Sequence, residues 1–174
     1  EEVIQSCLKE ISQFIGAERS SLLWIDWQDV RGHVNYRWGE DESPIPDQIT
    51  ISQVPYLADL VRAGKVIRLD DVNDLPERAS ADRDRLKDWQ IKSMIAMPLT
   101  IAGEVQGLLT LATKRERKHW SDQDVLDLRV VSELFANFVS RLKSHAALGA
   151  ALDELKAAKE RLEAENVYLR EEIE

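Results

Sequence analysis

Cysteine is nearly absent from this sequence, since Cys7 is the only one among 174 residues. A single thiol can form neither an internal disulfide nor a thiolate metal cluster, which excludes both. Long apolar runs are also missing, and none approaches the roughly 18 residues of a membrane span. No basic stretch followed by an apolar segment marks a signal peptide. These absences predict a cytoplasmic protein that does not enter a membrane.

Basic residues are in the minority, with 23 Lys and Arg against 32 Asp and Glu and a net charge of -9. An acidic surface repels a phosphate backbone, so we expect no direct binding of nucleic acid. The length suffices for one domain with its own core and an additional element.

The opening segment has the apolar spacing of a helix. Ile4, Leu8, Ile11 and Ile15 recur at three- and four-residue steps, and Gly16 is a suitable end. The stripe is widened by Val3, Cys7 and Phe14. Because Cys7 lies on this apolar face, we expect it to be buried as a packing residue.

Short elements follow as far as residue 90. We predict strands over 19–26, 33–39 and 66–72, and a polar loop over 39–48. Ser52 is a candidate N-cap for a helix ending near Ala63, and a charged helix is predicted over 80–90.

Two apolar runs, 91–101 and 105–113, are separated by a tight turn that contains Gly103. Neither run alternates between polar and apolar residues, so both faces of these strands must be covered. The predicted fold is therefore α+β. It is an antiparallel sheet with helices on one face and the loops and short helices of 40–90 on the other.

The last helix begins with a recognisable capping signal. Ser121 is a favourable N-cap, and Asp124 lies three residues later, where a capping box places an acidic partner. The apolar positions that follow cover more than half of the helix circumference. We therefore expect this helix to contact the sheet and a second partner.

A leucine heptad occupies the C-terminal part, which divides the chain into a domain over 1–144 and a coiled-coil helix over 145–174. The pattern predicts dimerisation through two sets of core positions: Leu148, Leu155, Leu162 and Leu169, and Leu152, Lys159, Asn166 and Ile173. Polar residues at Lys159 and Asn166 favour a parallel, in-register homodimer, with Glu165 facing Arg170 of the other chain. The alternative is a solvated single helix with internal charge pairs.

The leucine heptad is out of register with the helix before it, because Phe138 and Leu142 belong to a displaced seam. Near Gly149 this shift marks a flexible point. It is either an element of a switch or a plain break where the helix leaves the domain.

Two segments, SMIAMPLTIAGEVQGLLTLAT and HWSDQDVLDLRVVSELFANFV, resemble the last strands and final helix of a GAF domain. The matching positions are Ser93, Pro98, Leu99, Gly103, Gly107, Trp120 and Asp124. The resemblance covers about residues 1–144 and implies a sensory domain, with dimerisation through the N- and C-terminal helices.

The tail KERLEAENVYLREEIE is similar to the linker between a sensor and the AAA+ module of sigma-54-dependent transcriptional regulators. Similar helices also lead into histidine kinases. The resemblance implies an effector module after the coiled coil, with the regulator as the first choice.

The GAF resemblance also implies a small-molecule pocket between the sheet and residues 40–90. Its predicted border consists of Ser21, Leu23, Tyr36, Trp38, Trp89 and Ser93. The chain has five tryptophans, which can clamp a flat or apolar ligand or simply fill the core. A ligand-free dimerisation module is therefore the rival function.

No residue pattern indicates catalysis, so we expect a regulatory domain and not an enzyme. The position of Cys7 in the first helix argues against a covalently attached bilin, and the identity of any other cofactor stays open. His33, His119 and His145 are far apart in the sequence, so no metal site is predicted.

Overall fold

The computed structural model describes residues 2–39 and 44–173, with side chains described as far as residue 168. Its core is one six-stranded antiparallel sheet with four α-helices. The strands are β1 (Arg19–Asp26), β2 (Arg31–Trp38), β3 (Gln48–Thr50), β4 (Ile67–Leu69), β5 (Ser93–Ile101) and β6 (Glu104–Thr113). The helices are α1 (Glu2–Ile15), α2 (Pro55–Arg62), α3 (Ser80–Asp88) and α4 (Asp122–Ile173).

The strand order is β3-β2-β1-β6-β5-β4, so the first and last long strands are neighbours at the centre. The two apolar runs, which were predicted to be covered on both faces, form β5 and β6. Most residues of both strands are buried. This confirms the predicted α+β fold. The short edge strand β3 was not predicted, and it begins at Gln48, the last residue of the predicted loop.

A β-bulge interrupts the pairing of β1 with β2. Leu22 lies opposite Tyr36, whereas Leu23 lies opposite Val34, so Asn35 is the extra residue. Because a bulge reverses the alternation of faces along its strand, Tyr36 shares the face of Leu22 while Val34 shares the face of Leu23.

Helix α1 covers one face of the sheet with Ile4, Leu8, Ser12 and Ile15. The Ser20 hydroxyl of β1 donates to the carbonyl of Leu8 at 3.1 Å, which ties the helix to the sheet. Cys7 is exposed, so the prediction that it is buried was wrong. The buried stripe is narrower than the apolar pattern and leaves Val3, Cys7 and Phe14 in solvent.

The N-terminus of α2 corrects a second prediction. Ser52 lies in a 3-10 turn before Val54, and the helix has no cap from its own segment. The fully buried carboxylate of Asp82, in α3, instead accepts the backbone N–H groups of Leu57 at 2.8 Å and Tyr56 at 3.3 Å. One side chain therefore caps α2 and joins it to α3.

Helix α4 begins as the sequence predicted. The Ser121 N–H donates to the Asp124 carboxylate at 2.8 Å, and the Asp124 N–H donates to the Ser121 hydroxyl at 3.1 Å. This reciprocal pair is a capping box with Asp in the acidic position. The helix continues without interruption through Gly149.

The chain divides into two compact units, Glu1–Ala136 and Asn137–Glu174. The division into domains at residue 144 stays a prediction. Within the described residues, no helix combines the length and the apolar character needed to cross a membrane.

Candidate functional site

A cavity of about 140 Å³ lies between the sheet and the layer formed by α2 and α3. Its sheet wall comes from side chains that alternate along β1, since residues two apart in a strand share a face. Arg19, Ser21, Leu23 and Ile25 all line it, and β6 adds Leu108, Thr110 and Ala112. This wall is apolar except at the end where β1 begins.

The opposite wall comes from the short helices. It is formed by Leu57, Ala58 and Val61 of α2, Leu86 of α3, and Trp89 directly after α3. Both α2 and α3 follow short 3-10 turns and lie outside the hydrogen-bonded strands of the sheet. The Asp82 carboxylate joins the two helices to each other, and Arg19 of β1 donates to the Trp89 and Gln90 carbonyls, which links this wall to the sheet.

Trp27 closes the end of the cavity beyond Ile25. Its indole N–H donates to the carbonyl of Val105 at 2.6 Å, and the Arg62 guanidinium lies 4.5 Å from the centre of its ring. The first contact fixes Trp27 to β6, and the cation–π contact links it to the end of α2.

A pair of hydroxyl groups forms the polar part of the sheet wall. Ser21 and Thr110 lie opposite each other on β1 and β6, and their oxygens are 2.6 Å apart. Only one hydroxyl can donate in this bond, and the Thr110 hydroxyl also lies 3.5 Å from the Ser21 carbonyl, to which it can donate.

Four of the six predicted border residues line the cavity: Ser21, Leu23, Trp38 and Trp89. Tyr36 does not, because the bulge at Asn35 turns it to the face of Leu22. The sequence pattern alone could not have located that extra residue.

Ser93 also lies outside the cavity, although Met94 next to it is in the lining. Neighbouring strand residues point to opposite faces. Ser93 is fully buried, and its hydroxyl accepts from Thr113 at 2.9 Å and from the backbone N–H of Lys118 at 2.6 Å. Its place in the structure is that of a brace between β5, β6 and the following loop.

The sequence profile of the GAF domain family matches residues 1–139. The chain belongs to the GAF domain family. The match includes the complete sheet, both walls of the cavity and the start of α4.

Solved structures share this GAF fold at low identity. The blue-light absorbing form of the PixJ GAF domain of Thermosynechococcus elongatus is 14% identical, with a TM-score of 0.70 over 88% of this chain and 92% of that one. A phycoerythrobilin-bound GAF domain from a cyanobacterial phytochrome is 18% identical, with a TM-score of 0.70 over 83% and 87%.

A third similar structure is a domain from Sinorhizobium meliloti described as part of a two-component sensor histidine kinase. It is 17% identical, with a TM-score of 0.66 over 84% of this chain and 95% of that one. At these identities the likeness shows the fold. No curated protein matches the sequence.

The cavity of this GAF domain is also lined by three residues that were not predicted from the sequence: Arg19, Arg37 and Trp27. Alternation gives a signal for Arg19, because it lies two residues before the predicted Ser21 on the same strand. No comparable signal exists for Arg37 beyond the bulge. Trp27 lies after the end of β1, in the turn.

The junction between β6 and α4 carries a dense set of polar contacts. Trp120 is fully buried, its indole N–H donates to the Leu69 carbonyl at 3.1 Å, and its backbone N–H donates to the Asp70 carboxylate at 3.0 Å. The His119 ring contacts the same carboxylate, and Arg117 pairs with Asp71 at 2.7 Å. These contacts fix the start of α4 to the end of β4.

Both carboxylates at this junction have a lowered pKa. Partial burial acts to raise the pKa of Asp70, but hydrogen bonds from Trp120 and His119 and the charges of His119 and Arg68 together lower it. For Asp71, the hydrogen bond from the Asn73 backbone contributes most, burial opposes it, and the Arg117 charge lowers the pKa further.

The predicted coiled-coil positions are exposed on α4. Leu148, Leu152, Leu155 and Leu162 keep between 48% and 66% of their surface in solvent. The side chains of Leu169 and Ile173, and that of Arg170 in the predicted interchain pair, lie outside the described residues. Four large apolar side chains are therefore in contact with solvent along this part of α4.

Among the residues that the structure describes, the cavity lining contains neither a thiol nor a metal cluster. Cys7 is not among the lining residues. In the part of the chain that the structure describes, no three His, Cys, Asp or Glu residues come together as a metal site.

Proposed function

We propose that this GAF domain is a sensor that binds a small molecule in the cavity between the sheet and helices α2 and α3. The observation that carries the proposal is the cavity itself, which is lined mainly by apolar side chains. One of its walls is formed by α2 and α3, which are not part of the hydrogen-bonded sheet. Few convergent polar groups within an apolar pocket are typical of ligand sites. A ligand that prefers one position of α2 and α3 would shift the equilibrium between two arrangements.

The cavity volume limits the size of the ligand. At about 140 Å³ it is close to an engineered protein cavity that takes benzene, and below the roughly 300 Å³ where pockets for drug-sized ligands begin. The exposure of the only thiol on α1 argues against a covalently attached bilin. We therefore infer a compact, non-covalent ligand and a regulatory, non-catalytic role.

We infer that the signal leaves through a parallel homodimer formed by the N- and C-terminal helices. Exposed apolar side chains support this on α1, with Val3 and Phe14, and on the first half of α4, with Leu126, Val130 and Leu134. The exposed leucines of the heptad extend the same kind of surface along the rest of α4.

The effector that we propose is the AAA+ module of a sigma-54-dependent transcriptional regulator, on the resemblance of residues 159–174 to its linker. A histidine kinase is the second candidate, supported by the fold shared with the Sinorhizobium meliloti domain. In either case the domain acts in the cytoplasm and does not itself contact nucleic acid.

Native mass spectrometry of the purified chain, with a denatured spectrum as control, tests this function. A dimer with a non-covalent adduct, lost on denaturation, is the expected result and gives the mass of the ligand. A bare dimer would favour the rival, a ligand-free dimerisation module. A monomer at micromolar concentration would contradict the dimeric mechanism.

Tryptophan variants separate the sensor from the rival. Trp38→Ala and Trp89→Ala enlarge the cavity from opposite walls, so in a sensor they should change ligand affinity. If both variants only lower the urea midpoint of unfolding, the tryptophans serve packing and the rival is correct.

A further inference from the structure

Two arginines line the same end of the cavity. Arg19 is the first residue of β1, and Arg37 is next to last in β2, where it lies directly opposite Ser21. Arg19 and Ser21 share a face of β1, so both guanidinium groups arise beside the Ser21–Thr110 hydroxyl pair. All four residues line the cavity, and most of the remaining lining is apolar.

The position of Arg19 is determined by its surroundings. Only 7% of its surface is exposed, and one terminal nitrogen donates to the carbonyls of Trp89 at 3.0 Å and Gln90 at 2.8 Å. Gly39 leaves room for this side chain, because a Cβ at that position would lie 2.9 Å from the Arg19 Cγ and 2.8 Å from the Glu18 carbonyl. A guanidinium is thus held at the cavity wall.

Arg37 is held by weaker and more accessible partners. It donates to the Ile45 carbonyl at 2.6 Å and pairs with the Asp47 carboxylate at 2.9 Å. The Asp47 side chain is 90% exposed, and ion pairs with a solvated carboxylate contribute little to stability. Exchanging the Asp47 contact for a carboxylate bound within the cavity therefore forfeits little stability from the lost ion pair.

We propose that the ligand is a compact monocarboxylate with an apolar body, and that the whole molecule is about as large as benzoate. Its carboxylate binds at the Arg19 and Arg37 end, where planar guanidinium groups match its geometry. Its apolar body lies between Leu23, Leu108 and Trp89 in a cavity that accepts one ring. This inference rests on the proposed function and adds the chemical class of the ligand.

Isothermal titration calorimetry on the full chain with four probes tests the inference. Benzoate has both the charge and the ring, benzamide is its neutral analogue, acetate has the charge without the ring, and toluene has the ring without a polar head. Benzoate is expected to bind at least tenfold more tightly than benzamide or acetate, because only benzoate uses both ends of the cavity.

A charge variant locates the binding of the carboxylate. Arg37→Gln should weaken benzoate binding at least tenfold and leave toluene binding unchanged. Arg31→Gln is the matched control, since it makes the same change of charge at an exposed position of β2 outside the cavity lining. It should leave the affinities of all four probes unchanged. Arg37→Lys, which keeps the charge without the planar fork, should be intermediate.

The two proposals fail in different ways. If toluene binds as tightly as benzoate, or if Arg37→Gln leaves benzoate binding unchanged, the carboxylate inference is overturned while the cavity remains a ligand site. If none of the four probes binds and native mass spectra show no adduct, the sensor function is overturned as well.

Discussion

Asp82 is a fully buried carboxylate whose two backbone donors, Leu57 and Tyr56, belong to another helix. Removing its oxygens leaves buried N–H groups of α2 without an acceptor, which costs about 1–3 kcal/mol. We therefore expect Asp82→Ala to lower the free energy of unfolding by about 1–3 kcal/mol in urea denaturation. Asp82→Asn keeps one acceptor oxygen and should lose less.

Asp84→Ala is the control for that experiment, since Asp84 lies on the same helix and is exposed. Its effect should stay within about 0.5 kcal/mol, as for most surface substitutions. Equal urea midpoints for the Asp82 and Asp84 variants would show that Asp82 does not hold α2 to α3.

Contacts of single residues could be predicted from the sequence where both partners are close together in the chain. Ser121 and Asp124 were predicted as a capping box because both partners are three residues apart in one chain segment. Asp82 was not predicted, because its partners are 25 and 26 residues away. Gly107 was recognised from its family pattern, but its physical reason is visible only in the structure. A Cβ there would lie 2.8 Å from the Trp24 ring.

At the scale of elements, the sequence predicted the sheet because β5 and β6 are long and apolar on both faces. The GAF resemblance placed six residues at the cavity, and four of them line it. Ser21 and Leu23 do so because alternate residues of β1 share a face. The prediction for Tyr36 was wrong because the bulge adds a residue to β2. The prediction for Ser93 was wrong because its side chain lies on the other face of β5. The three-residue strands β3 and β4 are too short for periodicity to define their bounds.

The contact between β4 and the start of α4 should depend on pH. The pKa values of Asp70 and Asp71 are lowered in the folded chain, so their stabilising effect is fully present above the unfolded carboxyl value of about 3.9. It is lost as the pH falls through the lowered folded values. Replacing both by Asn should therefore destabilise the domain at pH 7, and the difference from the parent chain should shrink towards pH 3.

The effect is measured as the urea midpoint of unfolding at pH 7 and at pH 3, with tryptophan fluorescence as the signal. Trp120 is a suitable reporter, because it is fully buried and contacts Asp70 through its backbone. The matched control replaces the exposed Asp59 and Asp84 by Asn, which makes the same change in net charge. A destabilisation by the Asp70 and Asp71 changes that is equally large at both pH values would refute the electrostatic explanation.

At the scale of the whole molecule, the proposed dimer explains why α4 exposes so much apolar surface. Leu155 and Leu162 are each 66% exposed, although two leucines one heptad apart are typical of a buried seam. Burying such side chains stabilises an assembly by roughly 1.5–3 kcal/mol each. A double change to Glu at these positions removes that contribution and places like charges together at the interface.

We expect Leu155→Glu with Leu162→Glu to convert a dimer into a monomer in sedimentation equilibrium at micromolar concentration. The control places Glu at Ala157 and Ala164, which occupy the outer side of the same heptads and should leave the dimer intact. Because the cavity is lined only by residues of the first compact unit, the leucine variants should still bind the ligand. A dimer that persists in them would assign the interface to α1 and the first half of α4, where Phe14, Val130 and Leu134 are exposed. In that case the heptad would be a solvated helix with no role in association.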